Sequence, residues 1–355
     1  MDRLHTWKLM AAEDILNSPT VRDGWTAVHE AGVRKKAGRV IYELASTMVN
    51  PVLRMSIGTA GMAMTFFVRF YSRKSMVKNH PFVMAVASLF LAGKANDEPR
   101  SLNRLMTQML KQWYGRDNPE LGALLAHPDR MYELRNTVVG AEEILLITLE
   151  FDLNVDILTY ALAQFVRDAQ KSNVQALAPL SMDVSQAQCK KICSNIMKWE
   201  SLLVLQYDAR TIALGICHYF LKHGKDIQVP EPGKDGKEWY EEYGLSVDAC
   251  SDICSKISSA NKQAKKAMSK TAKMNREGSA QGIPSASQKQ QYSPMYQSRE
   301  GSPSKKIRLG QMSELDATQS CFTQASQYEH PPSSSQGPGN AGDDDSESLE
   351  EGEIR

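Results

Sequence analysis

The chain has 355 residues, of which 42% are hydrophobic and 23% are charged. A chain of this length is enough for two compact domains and an additional segment. The formal net charge of +1 gives no general case for a nucleic-acid partner, which normally shows as a basic excess. The longest apolar run, residues 82–93, is too short to cross a bilayer, so we expect neither a membrane nor a direct nucleic-acid partner.

The N-terminal sequence lacks the basic-then-apolar order of a secretory signal. Together with only six cysteines, this argues for a reducing compartment and against a disulfide framework. We therefore expect a cytosolic or nuclear protein.

Helical spacing of apolar residues begins early in the chain. The segment Asn17-Ser18-Pro19-Thr20 is the first start signal, because a capping serine precedes a proline that can open a helix. Pro99 separates the third and fourth segments of helical pattern. The first half is predicted to form five helices, at residues 33–48, 57–71, 81–95, 102–113 and 131–149.

The second half repeats part of this pattern. Residues 82–94 can be laid over residues 210–222, which aligns Lys94 with Lys222. Both copies are apolar almost all round, so each is expected to be the central helix of its own bundle. Further helices are predicted at residues 156–170, 185–206 and 246–259. The sequence therefore predicts an all-α protein with two tandem helical domains.

The end of the chain differs in composition. It is rich in Ser, Gln, Pro and Gly, with a basic block followed by an acidic one. Such a segment cannot bury enough apolar surface to fold, so residues 263–355 are predicted to be disordered. Ser293 and Ser302 precede prolines and are candidate phosphorylation sites. Lys305, Lys306 and Arg308 form a candidate nuclear import signal.

Several sequence motifs follow one another in order along the two repeats. They are Leu16-Asn17-Ser18-Pro19, Val68-Arg69-Phe70-Tyr71, Leu89-Phe90-Leu91-Ala92-Gly93-Lys94, Pro99-Arg100-Ser101-Leu102, Glu142-Glu143-Ile144-Leu145, Thr148-Leu149-Glu150-Phe151-Asp152-Leu153 and, at residues 235–240, Asp-Gly-Lys-Glu-Trp-Tyr. Together they resemble the transcriptional cyclins, the T, K and L branch, and the last segment is most similar to cyclins T and K. The resemblance implies an N-terminal extension at residues 1–32, a first five-helix cyclin box at 33–153 and a second at 154–262.

By this resemblance the protein is a nuclear regulatory subunit, not an enzyme. It would activate a transcriptional cyclin-dependent kinase that phosphorylates the C-terminal domain of RNA polymerase II and promotes elongation. Lys94 and Glu142 would lie side by side on an exposed face and hold the kinase, with Leu91, Phe151 and Leu153 packing on its mobile helix. The family usually has Lys-Val/Phe-Glu-Glu where this chain has Lys94-Ala95-Asn96-Asp97, so a bulky contact and a charge are missing.

Two other functions compete with this interpretation. A general transcription factor of the TFIIB type uses the same doubled fold to clamp promoter DNA, but the neutral body disfavours it. A helical scaffold without a kinase is disfavoured by the pairing of Lys94 with Glu142.

Catalytic and metal-binding patterns are weak. No phosphate-binding glycine loop or nucleophile motif is present in the sequence, so we expect no catalytic residue and no cofactor. Cys189 with Cys193, and Cys250 with Cys254, could suggest zinc. However, both pairs have helical i, i+4 spacing, where cysteine packs as a small apolar residue. We also expect His218 to have no partner ligands, and hence no metal site.

Overall fold

The computed structural model describes residues 7–46, 53–115, 118–171, 179–180, 183–224 and 236–280. Within these ranges the protein is all-helical, with thirteen α-helices and a 3-10 helix at Glu241–Tyr243. The predicted all-α class is confirmed. In the same ranges, no helix combines the length and the hydropathy needed to cross a membrane.

The helices of the first half include all five that the sequence predicts. They are α1 (Ala12–Leu16), α2 (Pro19–Arg22), α3 (Ala27–Ser46), α4 (Ile57–Arg73), α5 (Pro81–Ala95), α6 (Leu102–Tyr114), α7 (Pro119–Ala126) and α8 (Pro128–Thr148). The helices of the second half are α9 (Leu158–Lys171), α10 (Asp183–Trp199), α11 (Leu203–Gln206), α12 (Ala209–His223) and α13 (Val247–Ala280).

Helices α5 and α12 are the buried centres of the two halves, as their repeated sequence predicts. Helix α5 packs against α3, α4, α6 and α8, and α12 packs against α9, α10, α11 and α13. A proline at the first position opens α5, and Asp208 caps α12 by accepting a hydrogen bond from the Thr211 backbone N–H at 2.9 Å.

The two halves share one continuous hydrophobic core. Helix α3 packs against α10, and α4 packs against α9 and α10. Gly38 of α3 faces the backbone of Lys198, where an added Cβ would lie 3.1 Å from Cα and O. The glycine therefore permits the close approach of α3 and α10. Near the N-terminus, the Met10 backbone N–H donates to the Leu205 carbonyl at 2.8 Å.

Three helical elements differ from the prediction. Helix α7 was not predicted. The predicted helix at 185–206 ends at Trp199, and α11 follows as a separate turn. Helix α13 continues to Ala280 and so crosses the predicted domain boundary at residues 262–263. From residue 281 onward, the predicted disordered tail lies outside the described residues, as do Ser293, Ser302, Lys305, Lys306 and Arg308.

Candidate functional site

Lys94 and Glu142 form an ion pair that joins the end of α5 to α8. Lys94 Nζ lies 2.5 Å from Glu142 Oε1, so the predicted proximity of the two side chains is confirmed. Lys94 Nζ also lies 4.5 Å from the centroid of the Phe90 ring, which adds a cation–π contact. The pair fixes one positive and one negative group at the junction of two core helices.

The two members of this pair differ in burial, which the sequence analysis did not anticipate. The Lys94 side chain is 45% exposed, whereas the Glu142 side chain is only 9% exposed. The expectation that both lie on an exposed face is therefore wrong for Glu142. Glu142 faces the packed junction of α5 and α8, and it makes no hydrogen bond of good geometry through Oε1 in the described part of the chain. Lys94 therefore stabilises a carboxylate that is largely removed from water.

The position of Lys94 is fixed by the tight turn that follows α5. The Glu98 backbone N–H donates to the Gly93 carbonyl at 2.8 Å, and Asp97 adopts a left-handed conformation with φ +54°. A Cβ on Gly93 would lie 3.0 Å from the Glu98 carbonyl oxygen, so glycine is required for the chain to fold back so closely.

Glu98 and Asn96 connect this turn to the start of α4. Glu98 Oε2 accepts hydrogen bonds from the Ser56 backbone N–H at 2.8 Å and from Thr59 Oγ1 at 2.7 Å. Asn96 Nδ2 donates to Thr59 Oγ1 at 2.7 Å. Asn96, which departs from the family pattern, therefore has a structural partner in this chain.

These bonds imply a pH-dependent contribution from Glu98. Burial raises the pKa of its carboxyl group, but the hydrogen bonds from Ser56 and Thr59 outweigh burial and the pKa is lowered. A lowered folded-state pKa adds stability above the unfolded-state pKa, and this stability is lost as the pH falls through the folded-state value. We expect Glu98→Gln to melt a few degrees below wild type at neutral pH, and the difference to close in acid. A difference in melting temperature that does not change with pH would contradict this.

Large apolar side chains are exposed along helix α8 and just after its end. We call Val139, Ile144, Ile147 and Phe151 the apolar patch. All four are exposed, Ile147 by 59% and Phe151 by 69%. Val139 is three residues from Glu142 on the same helix, so these two side chains are neighbours.

Phe151 is held outward by an unusual backbone turn. Glu150 and Phe151 both have left-handed conformations, with φ of +55° and +57°. Arg73 Nη1 donates to the Thr148 carbonyl at 2.9 Å and pairs with Glu150 Oε1 at 2.5 Å. Left-handed non-glycine residues are strained, and such strain concentrates at functional sites.

The other predicted contact residues occupy different environments. Leu91 is buried in the core, with 3% exposure, so its side chain supports α5 and is not available to a partner. Leu153 is partly buried and packs against the core. Val139, Ile144 and Ile147 were not predicted as contact residues, although the sequence that forms α8 carries apolar residues on more than one helix face.

Comparison with known proteins finds similarity in the first half of the chain. The family model "Cyclin, N-terminal domain" matches residues 34–154. Cyclin-T1.2 of Caenorhabditis elegans is 27% identical over 168 residues, covering 47% of this chain and 29% of that protein. Cyclin-T1-2 of Oryza sativa subsp. japonica is 25% identical over 247 residues, covering 69% of this chain and 36% of that protein. The chain thus spans about a third of the length of these relatives.

A solved structure shares the fold. A chain in the crystal structure of the yeast RNA Pol II CTD kinase CTDK-1 complex superposes with a TM-score of 0.52 at 14% identity. The match covers 70% of this chain and 71% of that chain.

Proposed function

We propose that the chain is a cyclin that binds and activates a transcription-associated cyclin-dependent kinase, a proposal supported by the match of residues 34–154 to the cyclin N-terminal domain. In this role the protein is a nuclear regulatory subunit and supplies no catalytic residue. The kinase provides the chemistry, and the cyclin provides the surface that places the kinase's mobile helix.

The observation that carries the proposal is the Lys94–Glu142 pair beside the apolar patch. A protein kinase is active only when its strand lysine pairs with a glutamate on its mobile helix, so control of that helix controls activity. The apolar patch offers the area on which a helix can pack, and apolar and aromatic anchors supply most of the energy of such contacts.

The ion pair is suited to setting the register of that helix. Lys94 is exposed and can donate hydrogen bonds to a partner carbonyl or carboxylate. Glu142 is buried, and its Oε1 is not saturated by hydrogen bonds in the described residues. Charged groups at the edge of an apolar contact contribute specificity more than affinity.

We further propose that the substrate of the complex is the C-terminal domain of RNA polymerase II, through which the complex promotes transcription elongation. The T-type cyclins among the relatives support this choice. The likeness to a chain of the yeast CTD kinase complex is a likeness of fold at 14% identity, so a kinase assay has to decide the substrate.

The experiment is affinity purification of the tagged full chain from nuclear extract, with identification of the retained kinase. We expect a cyclin-dependent kinase to copurify and to phosphorylate a peptide of RNA polymerase II C-terminal repeats. An Ile147→Glu/Phe151→Glu variant, prepared in parallel, should retain neither kinase nor activity. Wild-type protein that retains no kinase would contradict the proposal, and a retained kinase inactive on the repeat peptide would contradict only the substrate.

A further inference from the structure

His218, Cys250 and Cys254 come together in the second half, far from the apolar patch in sequence. One ring nitrogen of His218 and the two Sγ atoms all lie within 4.8 Å of one another. His218 is on α12, and the two cysteines are one turn apart on α13, which packs against α12. Residues at i and i+4 share one helix face, so both thiols face the imidazole. The expectation that His218 has no partner ligands is wrong.

The His218 side chain is available to a soft cation. It is 8% exposed, and its Nδ1 has no hydrogen-bond partner among the described residues. A neutral imidazole is a common metal ligand. Both cysteines are free thiols, which bind zinc as thiolates.

We propose that His218, Cys250 and Cys254 bind one Zn²⁺ ion, with water in the fourth position. Two thiolates and an imidazole are ligands that zinc prefers. A tetrahedral site with Zn–S bonds of about 2.3 Å has sulfur atoms about 3.8 Å apart. The ligand atoms lie within 4.8 Å of one another, so side-chain movements of about 1 Å bring the sulfur atoms to this spacing. On binding, the two S–H groups release their protons to solvent, two Zn–S bonds form, and the imidazole nitrogen donates a lone pair.

Charge and surroundings agree with this assignment. Two thiolates neutralise the ion, so the nearby Lys222 does not face a net positive site. The Tyr240 ring lies edge-on at 4.7 Å from the His218 ring, and the Trp239 ring lies at 6.1 Å. These aromatic rings surround the imidazole and limit its motion. The ion would fasten α13 to α12.

A second cysteine group in the same half provides a matched control. Cys189 and Cys193 have the same i, i+4 spacing on α10, and both are buried. Within the described residues these two thiols do not join a metal-binding group with a histidine, so they should bind no zinc.

The experiment is titration of the reduced, chelator-treated full chain with Co²⁺, followed by displacement with Zn²⁺. We expect one Co²⁺ per chain, with thiolate charge-transfer absorption and the intense visible bands of a tetrahedral site, and loss of both when Zn²⁺ is added. Cys250→Ala/Cys254→Ala should abolish the charge-transfer band. His218→Gln keeps both thiols and should weaken binding by at least about tenfold. Cys189→Ala/Cys193→Ala should bind like wild type.

Melting curves separate loss of the site from loss of the fold. Zn²⁺ should raise the melting temperature of wild type and of Cys189→Ala/Cys193→Ala, because a ligand that binds only the folded state stabilises it. The ion should leave the melting temperature of Cys250→Ala/Cys254→Ala unchanged. Wild-type protein without the Co²⁺ bands overturns the proposal, and so does full binding by the folded Cys250→Ala/Cys254→Ala variant.

Discussion

Replacing two exposed residues of the apolar patch, as Ile147→Glu/Phe151→Glu, is expected to reduce kinase association by at least about a hundredfold. A hot-spot residue contributes about 2 kcal/mol or more to binding, and 1.4 kcal/mol is a factor of ten. The free protein should be little affected, because both side chains are mostly exposed and surface substitutions usually change stability by about 0.5 kcal/mol or less. Affinity measurement with the purified kinase, beside a melting curve, tests both statements.

A matched control is available elsewhere on the surface. Val28 and Val247 are also exposed apolar residues on helices, so Val28→Glu/Val247→Glu makes the same change in charge away from α8. We expect this variant to bind like wild type. Equal losses of affinity in the two variants would mean that added negative charge, and not the apolar patch, explains the result.

Phe151→Gly gives a sharper test, because binding and stability should move in different directions. Glycine adopts a left-handed conformation without the cost of about 1 kcal/mol that other residues pay. The variant should therefore melt at or above the temperature of wild type while its kinase affinity falls. Wild-type affinity in Phe151→Gly would remove the ring from the proposed interface.

The sequence predicted the central helices well because their signals are local. Helices α5 and α12 are apolar on all sides, and Pro81 and Asp208 stand at their starts. Such caps and apolar runs determine where a helix begins and which surface it buries. The repeat of one buried helix therefore predicted the two halves before any tertiary contact was known.

The missed elements have identifiable physical causes. Pro119 opens α7 and Pro128 opens α8, because proline is favoured at the first helical position as well as at breaks between helices. Just beyond the end of α10, Glu200 Oε1 accepts a hydrogen bond from Ser259 Oγ at 2.7 Å, a long-range contact that the local sequence pattern does not predict. The sequence at the end of α13 has few large apolar residues, so its helical pattern is weak.

The candidate sites, like the missed helices, depend in part on contacts that the local sequence does not predict. The family resemblance correctly placed Lys94 beside Glu142, but it did not predict that Glu142 is buried, because burial depends on how α5 packs on α8. The grouping of His218 with Cys250 and Cys254 depends on the packing of α12 on α13 across more than thirty residues of sequence. Spacing along one helix could identify each cysteine pair, but not the partner that distinguishes one pair from the other.

Because Glu142 is much more buried than Lys94, we expect substitutions of this pair to affect the melting temperature and kinase affinity differently. Glu142→Lys alone places two cations together, one of them at a nearly buried position. Leaving a buried polar group unsatisfied costs about 1 to 3 kcal/mol, and each kcal/mol lowers the melting temperature by roughly 2 to 4 °C in a protein of this size. Lys94→Glu should also lower the melting temperature, because it leaves the nearly buried Glu142 carboxylate beside a second negative charge.

The double variant Lys94→Glu/Glu142→Lys restores opposite charges and should recover most of the lost melting temperature. It should not recover kinase binding, because each kinase group that faces position 94 or 142 would now meet a side chain of the opposite charge. Loss of a desolvated charged contact at an interface costs about 2 to 5 kcal/mol, so association should stay more than about tenfold below wild type. Affinity and melting are measured for all three variants. If the double variant regains both, the pair only stabilises the fold of this chain, and a role in positioning the kinase helix is excluded.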